Sequence, residues 1–334
     1  MLVKILLILL AVIILLAGVM LIITLATNGW RFPRCEAVSY DVTDSFESLL
    51  VVSRVADIEI LPSEDGRCRV VCYEQPKMSS TVSVVDGVLQ VEQVDTRRWY
   101  EHLSFDLWDA KVTLYLPSAV YQSLTVRAST GDISVEKITV GTVAITLSTG
   151  DVCLADIDAA DGVAVTSSTG DISIARVKTN DITVIANTGD IALSDVVCAG
   201  EIATENTTGD VELYAVKAKS LVSQANTGEA EFSDVAVAGT LAIKRTTGET
   251  VLADTVADKF LIEASTGDVT FMRSDAAEIF VTTDTGDVTG SLLSSKVYIV
   301  RTDTGKIDVP KTTLGGRCEI TTDTGDIKIT VEEK

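Results

Sequence analysis

Apolar residues recur at fixed distances on both sides of a Thr-Gly dipeptide, which returns eleven times between Thr130 and Asp326. Its glycines stand at positions 131, 150, 170, 189, 209, 228, 248, 267, 286, 305 and 325, so the period is 19 or 20 residues. In most copies, apolar residues fill the second and fourth positions after the glycine and the fifth and seventh before it. Ala230 and Thr250 are the weakest members of the first of these positions. The alternation predicts two short β-strands per copy, one on either side of the turn.

A unit of this size cannot bury its own apolar face, so the copies must stack on one another. Parallel stacking advances about 4.8 Å per coil, and ten intervals give a rod about 48 Å long. The sequence therefore predicts an all-β fold, a single-stranded parallel β-solenoid of 19–20-residue coils over residues 119–334. The glycine is expected to form a sharp corner in each coil because it has no Cβ.

The region before the repeats, residues 36–118, carries strand signals without the strict period. Within it, Arg54–Ile60 aligns with Ser129–Val135 and reads as a decayed coil. We therefore expect an irregular β region that caps the solenoid, because an open solenoid end exposes strand edges. At the other end, the charges of Glu332, Glu333 and Lys334 are expected to discourage end-to-end growth.

The N-terminus contains an uncharged stretch of 22 residues, from Ile5 to Ala26, which is long enough to cross a bilayer as a helix. It predicts one N-terminal transmembrane helix within an anchor of residues 1–30, in contact with the lipid bilayer through residues 5–26. Long acidic domains cross membranes largely regardless of flanking charge. We therefore expect a single-pass protein of the cell membrane with an extracytoplasmic C-terminal domain.

The net charge of −21 and the isoelectric point near 4.4 argue against a nucleic-acid partner, because phosphate binding needs a basic face. The six cysteines form no recognisable disulfide framework. Cys68 and Cys72 would be about 13 Å apart in an extended strand, which is too far for a disulfide. Cys153, Cys198 and Cys318 fall at different offsets in non-adjacent coils. We expect the cysteines to act as small buried hydrophobes, except Cys35, which lies just after the predicted membrane span and is left open.

A family resemblance rests on several of these features together. The uncharged N-terminal stretch, the irregular β region, the segment Lys111–Pro117 and the repeated Thr-Gly-Asp-Ile/Val turns resemble the DUF4097 family of bacterial adhesin-like proteins. The resemblance covers nearly all of the chain after the anchor. It implies a protein of the bacterial cell envelope and supplies no catalytic residue.

The residue after the turn glycine is acidic in ten of the eleven copies. The column reads Asp132, Asp151, Asp171, Asp190, Asp210, Glu229, Glu249, Asp268, Asp287, Lys306 and Asp326. Stacking would place like charges about 4.8 Å apart, where they repel. One explanation is that each carboxylate accepts hydrogen bonds from nearby backbone N–H groups. The alternative is that neighbouring carboxylates bind a divalent cation such as Ca²⁺.

The cation hypothesis is strongest in the last coils, where two Asp-Thr-Gly-Asp turns each carry two carboxylates. The candidate ligands are Asp284, Asp287, Asp303, Asp323 and Asp326. Asp303 is expected to stack between Asp284 and Asp323. Lys306 interrupts the acidic column at this point, which weakens the hypothesis.

Six positions after the glycine, the sign of the charge alternates along the first four coils. These residues are Lys137, Asp156, Arg176 and Asp195. Opposite charges on neighbouring strands attract and disfavour register slips. Because exposed ion pairs contribute little energy, we expect a structural role.

The regular coil length argues against an enzyme, because it leaves no long loops with which to build a catalytic groove. His102 is the only histidine, and no phosphate-binding loop or zinc motif is present. We therefore expect no catalytic residue and no cofactor beyond the Ca²⁺ considered above. The favoured function is a membrane-anchored, adhesin-like binding scaffold that contacts a cell-wall polymer or an envelope protein. The alternatives are an envelope-stress sensory or regulatory protein and a carbohydrate-active β-helix enzyme.

Overall fold

The computed structural model describes residues 18–20, 23, 36–74, 78–95 and 110–332. Residues 18–20 and 23 are helical, and the other described residues form 25 β-strands and the turns and loops that join them. The strands are β1 (Glu36–Val42), β2 (Ser48–Ser53), β3 (Ala56–Pro62), β4 (Cys68–Glu74), β5 (Met78–Val85), β6 (Val88–Asp95), β7 (Ala110–Leu116), β8 (Val120–Thr130), β9 (Ile133–Glu136), β10 (Thr139–Thr149), β11 (Val152–Thr169), β12 (Ile172–Thr188), β13 (Ile191–Cys198), β14 (Glu201–Thr208), β15 (Val211–Ala218), β16 (Ser220–Thr227), β17 (Ala230–Thr247), β18 (Thr250–Ala253), β19 (Val256–Thr266), β20 (Val269–Thr285), β21 (Val288–Leu292), β22 (Lys296–Thr304), β23 (Ile307–Asp308), β24 (Gly316–Thr324) and β25 (Ile327–Val331).

The repeats form the predicted all-β solenoid, in which equivalent residues of successive coils pair in parallel register. Val152 pairs with Ile172, for example, and Thr149 pairs with Thr169. Within β11, however, buried and exposed residues alternate in three segments, at 152–155, 157–159 and 163–167. The prediction of two strands per copy was therefore incomplete, because each regular coil contains a third inward-facing segment.

Three corners separate these segments. The Thr-Gly turn makes the first, and a residue in the left-handed region makes the second, such as Asp156 with φ 58°. The third corner lies after Ala159, where the strand register shifts between Ala159 and Gly162. The extra residue of a 20-residue coil is accommodated there, so the other two corners keep their stacking.

The Thr-Gly corner requires glycine for two reasons, both visible at Gly170. Its φ is +126°, which side-chain-bearing residues rarely adopt. A Cβ at this position would meet the carbonyl oxygen of Gly150, in the coil below, at 2.0 Å. The corners can stack this closely only because no side chain intervenes.

The interior is a continuous column of aliphatic side chains, with Phe232, Phe260 and Phe271 as its largest fully buried members. Phe260 and Phe271 stack with ring centroids 6.1 Å apart. The cysteine prediction holds for four described thiols, which are free and buried: Cys68, Cys72, Cys198 and Cys318. Cys153 is also free but exposed, because its position in the coil faces outward.

At the N-terminal end, the order of the first two coils is exchanged. β2 and β3 stack on β8 and β9, with Ile58 opposite Ile133, which confirms the decayed coil. β6 and β7 come later in the chain but stack on the outer side of β2 and β3, where Val112 lies opposite Ile58. The antiparallel strands β4 and β5 then cover β7 and β6, and β1 pairs with β4.

The same exchange occurs at the C-terminal end. β24 and β25, the last strands of the chain, lie between the coil of β20 and β21 and the coil of β22 and β23. Thr324 therefore pairs with both Thr285 and Thr304. The C-terminal tip of the solenoid is formed by β22 and β23. The expectation that the charge of Glu332 discourages end-to-end growth at this tip was therefore wrong. Instead, Glu332 lies 3.8 Å from Arg273 of β20.

The predicted membrane span, Ile5–Ala26, lies almost entirely outside the described residues, as do Cys35 and His102. Within the residues that the structure does describe, no helix has the length and apolarity needed to cross a membrane. The anchor therefore stays a prediction from the sequence.

Candidate functional site

The acidic column at the Thr-Gly corner forms a ladder of hydrogen bonds between coils. The backbone N–H of Asp171 donates to Asp151 Oδ1 at 2.8 Å, and the N–H of Asp190 donates to Asp171 Oδ1 at 2.8 Å. The other rungs join Asp132 to Asp57, Asp151 to Asp132, Asp210 to Asp190, Glu229 to Asp210, Asp287 to Asp268, Asp326 to Asp287 and Lys306 to Asp326. Each of these aspartates thus accepts an N–H from the adjacent coil, which offsets the repulsion between neighbouring acids.

The ladder is interrupted where the column contains glutamate. Within the described chain, no rung joins the N–H of Glu249 to Glu229, or the N–H of Asp268 to Glu249. Glutamate has one more methylene group than aspartate, so its carboxylate extends beyond the N–H of the adjacent coil. The rungs therefore depend on the length of the aspartate side chain.

The five candidate calcium ligands are only partly brought together. The register places Asp323 between Asp284 and Asp303, so the expected position of Asp303 between the other two was wrong. Asp287 and Asp326 use one oxygen each for ladder rungs, and Asp303 pairs with Arg301 at 2.9 Å. No group of three or more His, Cys, Asp or Glu residues suited to a metal ion occurs among the described residues. Calcium binding remains a hypothesis, tested by comparing the melting temperature with and without a chelator.

Of the four residues predicted to attract one another at the second corner, Arg176 and Asp156 form an ion pair between coils, whereas no ion pair in the described chain involves Lys137 or Asp195. A further pair, Arg273 and Asp254, lies at the same position in later coils. Arg176 Nε lies 2.8 Å from Asp156 Oδ1, and Arg273 Nε lies 2.9 Å from Asp254 Oδ1. The hydrogen bond from Arg176 lowers the pKa of Asp156 below its usual value. These residues have positive φ, so the corner itself directs their side chains outward along the stack.

An uncharged surface extends over three neighbouring coils, on the segment that precedes the Thr-Gly corner. Its outward residues are Ala144, Thr146, Ser148, Ala164, Thr166, Ser168, Thr183, Ile185 and Asn187. All are exposed except Ile185, which is half-buried. We call these nine residues the uncharged face. It is bordered by Arg127 in the preceding coil and Glu205 in the following one, and it contrasts with the acidic corner beside it.

A group of buried polar residues in the middle of the solenoid was missed by the sequence analysis. Thr204, Asn206, Ser223, Arg245 and Thr250 are all at most 5% exposed. A signal was available, because Thr250 and Ala230 are weak members of an apolar column, and Thr204 and Ser223 fill a position that is usually Val or Ile. Burial lowers the pKa of Arg245 to about 10, so its guanidinium stays protonated near neutral pH.

A second buried charge lies near the C-terminal tip. Lys296 Nζ lies 2.7 Å from Asp275 Oδ1 and donates to the carbonyl oxygen of Ala276 at 2.6 Å and to Ser294 Oγ at 2.9 Å. Burial raises the pKa of nearby Tyr298 and Cys318 to about 12 in each case. The thiol is therefore neutral and sealed in the core, so it is a poor nucleophile.

Several proteins resemble this chain. A putative adhesin from Bacteroides fragilis aligns over 88% of this chain and 97% of its own, with 13% identity and a TM-score of 0.41. A putative lipid binding protein from Parabacteroides distasonis aligns over the same shares, with 13% identity and a TM-score of 0.37. A putative adhesin from the same species covers 89% and 98%, with 9% identity and a TM-score of 0.34.

These scores are too low to support an argument about function, and no curated protein matches the sequence. The sequence model of one family does match, over residues 46–219 and again over residues 214–334. The two matches together span nearly everything that follows the N-terminal region. The chain therefore belongs to the Toastrack DUF4097 family.

Proposed function

We propose that this protein is a membrane-anchored scaffold of the bacterial envelope, whose solenoid binds an extended, uncharged cell-wall polymer without catalysing its breakdown. The observation that carries the proposal is the uncharged face. A surface without charge stands out on a chain with a net charge of −21, and it favours a ligand that also lacks charge.

The shape of the uncharged face supports an extended ligand. Equivalent residues repeat in register from coil to coil, with Ala144 beside Ala164 and Thr146 beside Thr166. The repeat along the rod is about 4.8 Å, so a straight polymer meets the same chemistry at every step. Short hydroxyl side chains leave the surface flat and offer both hydrogen-bond donors and acceptors.

The charge distribution supports an uncharged ligand over an acidic or a basic one. An acidic polymer would be repelled by the carboxylates of the Thr-Gly corner, whereas a basic protein would be drawn to that corner and away from the uncharged face. The predicted span at residues 5–26 would hold the solenoid at the membrane, close to the wall. The absence of catalysis is also part of the proposal, supported by the sealed position of Cys318 and Lys296 in the core.

The test is cosedimentation of the full-length chain, purified in detergent, with insoluble, uncharged cell-wall glycan. We expect the wild-type chain to sediment with the glycan, and the double variant Thr146→Glu, Thr166→Glu to lose at least tenfold in affinity, because it places carboxylates in the centre of the uncharged face. The matched control is Thr139→Glu, Ser173→Glu, which adds the same charge at exposed positions on the other two segments. Equal binding by both variants would refute the role of the uncharged face. If the wild-type chain stayed in the supernatant, an uncharged cell-wall glycan would not be the ligand.

A further inference from the structure

Arg245 carries a positive charge into the interior of the solenoid. It occupies the third position before the Thr-Gly glycine, an inward position, and is only 2% exposed. In the register, Ala225 lies beside it in one neighbouring coil and Ala264 in the other. These small side chains leave room for the long side chain of arginine.

The guanidinium is poorly satisfied. Nη2 donates to Ser223 Oγ at 3.1 Å, whereas Nε and Nη1 have no hydrogen-bond partner in the described part of the chain. No described carboxylate lies within ion-pair distance of it, although Asp210 attracts it from further away. Arginine does not lose its proton in proteins, and an unpaired buried charge is very unfavourable. A counter-charge at this point would remove that cost.

Buried hydroxyl groups gather in the same coils. Thr204 is beside Ser223 in the register, and the hydroxyls of Thr204 and Thr250 are buried without a partner among the described residues. Five of the ten buried, unpartnered side-chain atoms in the described chain belong to residues between 204 and 250. Two of the five are the Arg245 nitrogens and two are hydroxyl oxygens. Four of these unpartnered atoms can therefore donate hydrogen bonds.

We propose that the interior of the solenoid binds one small inorganic anion of halide size against Nε and Nη1 of Arg245, with the Thr250 hydroxyl as a further donor. Thr204 lies two coils, about 10 Å, from this level of the stack and is not part of the site. An anion fits better than water alone because it also neutralises the guanidinium. The anion must be small, because adjacent coils lie about 4.8 Å apart and the space for it is the volume that the alanine side chains leave. The fifth unpartnered atom, Asn206 Oδ1, is an acceptor and is not part of this donor set.

The direct test is a crystal of the full-length chain grown in sodium bromide. We expect an anomalous bromide peak within hydrogen-bonding distance of Nε and Nη1 of Arg245. A structure with only water at the guanidinium, in crystals that hold bromide elsewhere, would overturn the proposal. This measurement needs no variant, so it does not depend on whether a substituted chain folds.

A second test compares melting temperatures in chloride and in gluconate at equal ionic strength, because gluconate is too large for the interior. The wild-type chain should melt several degrees higher in chloride, and Arg245→Met should lose that difference. Lys244→Met removes the same charge from the adjacent exposed position. This variant should keep the difference in melting temperature between chloride and gluconate. Equal melting of the wild-type chain in both salts would contradict the proposal, whatever the outcome of the glycan-binding test.

Discussion

The two ends of the solenoid both exchange the order of their last two coils, but they complete the outermost coil differently. At the N-terminal end, β4 and β5 run antiparallel to β7 and β6, so the outer coil has strand neighbours on both sides. At the C-terminal end, β22 and β23 have neighbours on one side only within the described residues. There, Lys296 extends across β24 to Asp275.

The difference shows two ways of ending a repeating stack. Antiparallel strands satisfy the backbone groups of the outer edge, which would otherwise offer a template for another chain. A buried ion pair instead fastens the outer coil to a deeper one and leaves its edge open. The first solution depends on the backbone, whereas the second depends on a few side chains. The C-terminal end should therefore be the more sensitive to substitution.

The largest effect is expected at Gly316, which lies opposite Lys296 in the register. A Cβ there would meet the carbonyl oxygen of Ala277 at 1.8 Å. We expect Gly316→Ala to cost more than about 4 kcal/mol in free energy of unfolding, because backbone must move. Denaturant unfolding measures this.

The matched control for Gly316→Ala is Gly66→Ala, near the N-terminal end. A Cβ at Gly66 meets nothing within 4 Å, and only its φ of +70° opposes a side chain. We expect a cost of about 1 kcal/mol. If the two substitutions cost the same, the contact with the Ala277 carbonyl is not what makes Gly316 sensitive.

A smaller but still large effect is expected from Lys296→Met. It leaves the carboxylate of Asp275 without its partner in a mostly buried position, at a cost of about 3 kcal/mol. Changing Asp275→Leu as well should recover part of the loss, because no unpaired charge then remains. Additive losses in the double variant, measured by denaturant unfolding, would show that the two residues are not coupled.

The aspartate ladder should contribute equally at both ends. Asp57 Oδ1 accepts the N–H of Asp132, and Asp326 Oδ1 accepts the N–H of Lys306. We expect Asp57→Ala and Asp326→Ala each to lower the free energy of unfolding by about 1 kcal/mol, the net value of one hydrogen bond. Asn keeps an acceptor oxygen, so the corresponding Asn variants should lose less. A loss of stability in only one of the two Ala variants would show that the rungs of the ladder do not contribute equally at both ends.

The smallest effect is expected from the exposed pair of Arg176 and Asp156. Because the folded-state pKa of Asp156 is lowered, the pair stabilises the fold above the unfolded pKa of about 3.9, and this contribution is lost as the pH falls through the lower folded value. Arg176→Ala should therefore reduce the melting temperature slightly at pH 7 and not at all in strong acid. A difference that persists in acid would mean that Arg176 acts through packing.

The sequence predicts the regular part of the fold well, because its strongest signals are local. The Thr-Gly period fixes the corner, and the apolar offsets fix the inward residues on either side of it. The third segment is short, with only two inward positions per regular coil. The first is apolar in most coils, as at Ile157 and Val177, and its signal was overlooked; the second holds small or polar residues such as Ala159 and Thr179. The second corner has a weak signal, since Asp156 and similar residues tolerate positive φ better than most.

The exchanged coils could not be predicted, because near-identical repeats have no sequence feature that fixes their order in space. Thr304 and Thr324 have the same neighbours in sequence, yet only Thr324 pairs directly with Thr285. The aspartate ladder was foreseen as hydrogen bonding to the backbone, although not that each donor belongs to the next coil. Arg245 carries no local signal, because the third position before the glycine holds alanine, leucine, serine, threonine or asparagine in the other copies and so does not read as inward-facing.

The position of β24 and β25 between earlier coils has a consequence for how the protein is made. A ribosome delivers the chain from its N-terminus, so β22 and β23 emerge before the strands that separate them from β20 and β21. Until β24 and β25 emerge, β22 and β23 must either remain unpaired or take a temporary position in the stack and leave it later. The finished rod can therefore form only after its final residues have left the ribosome, however early the middle coils assemble.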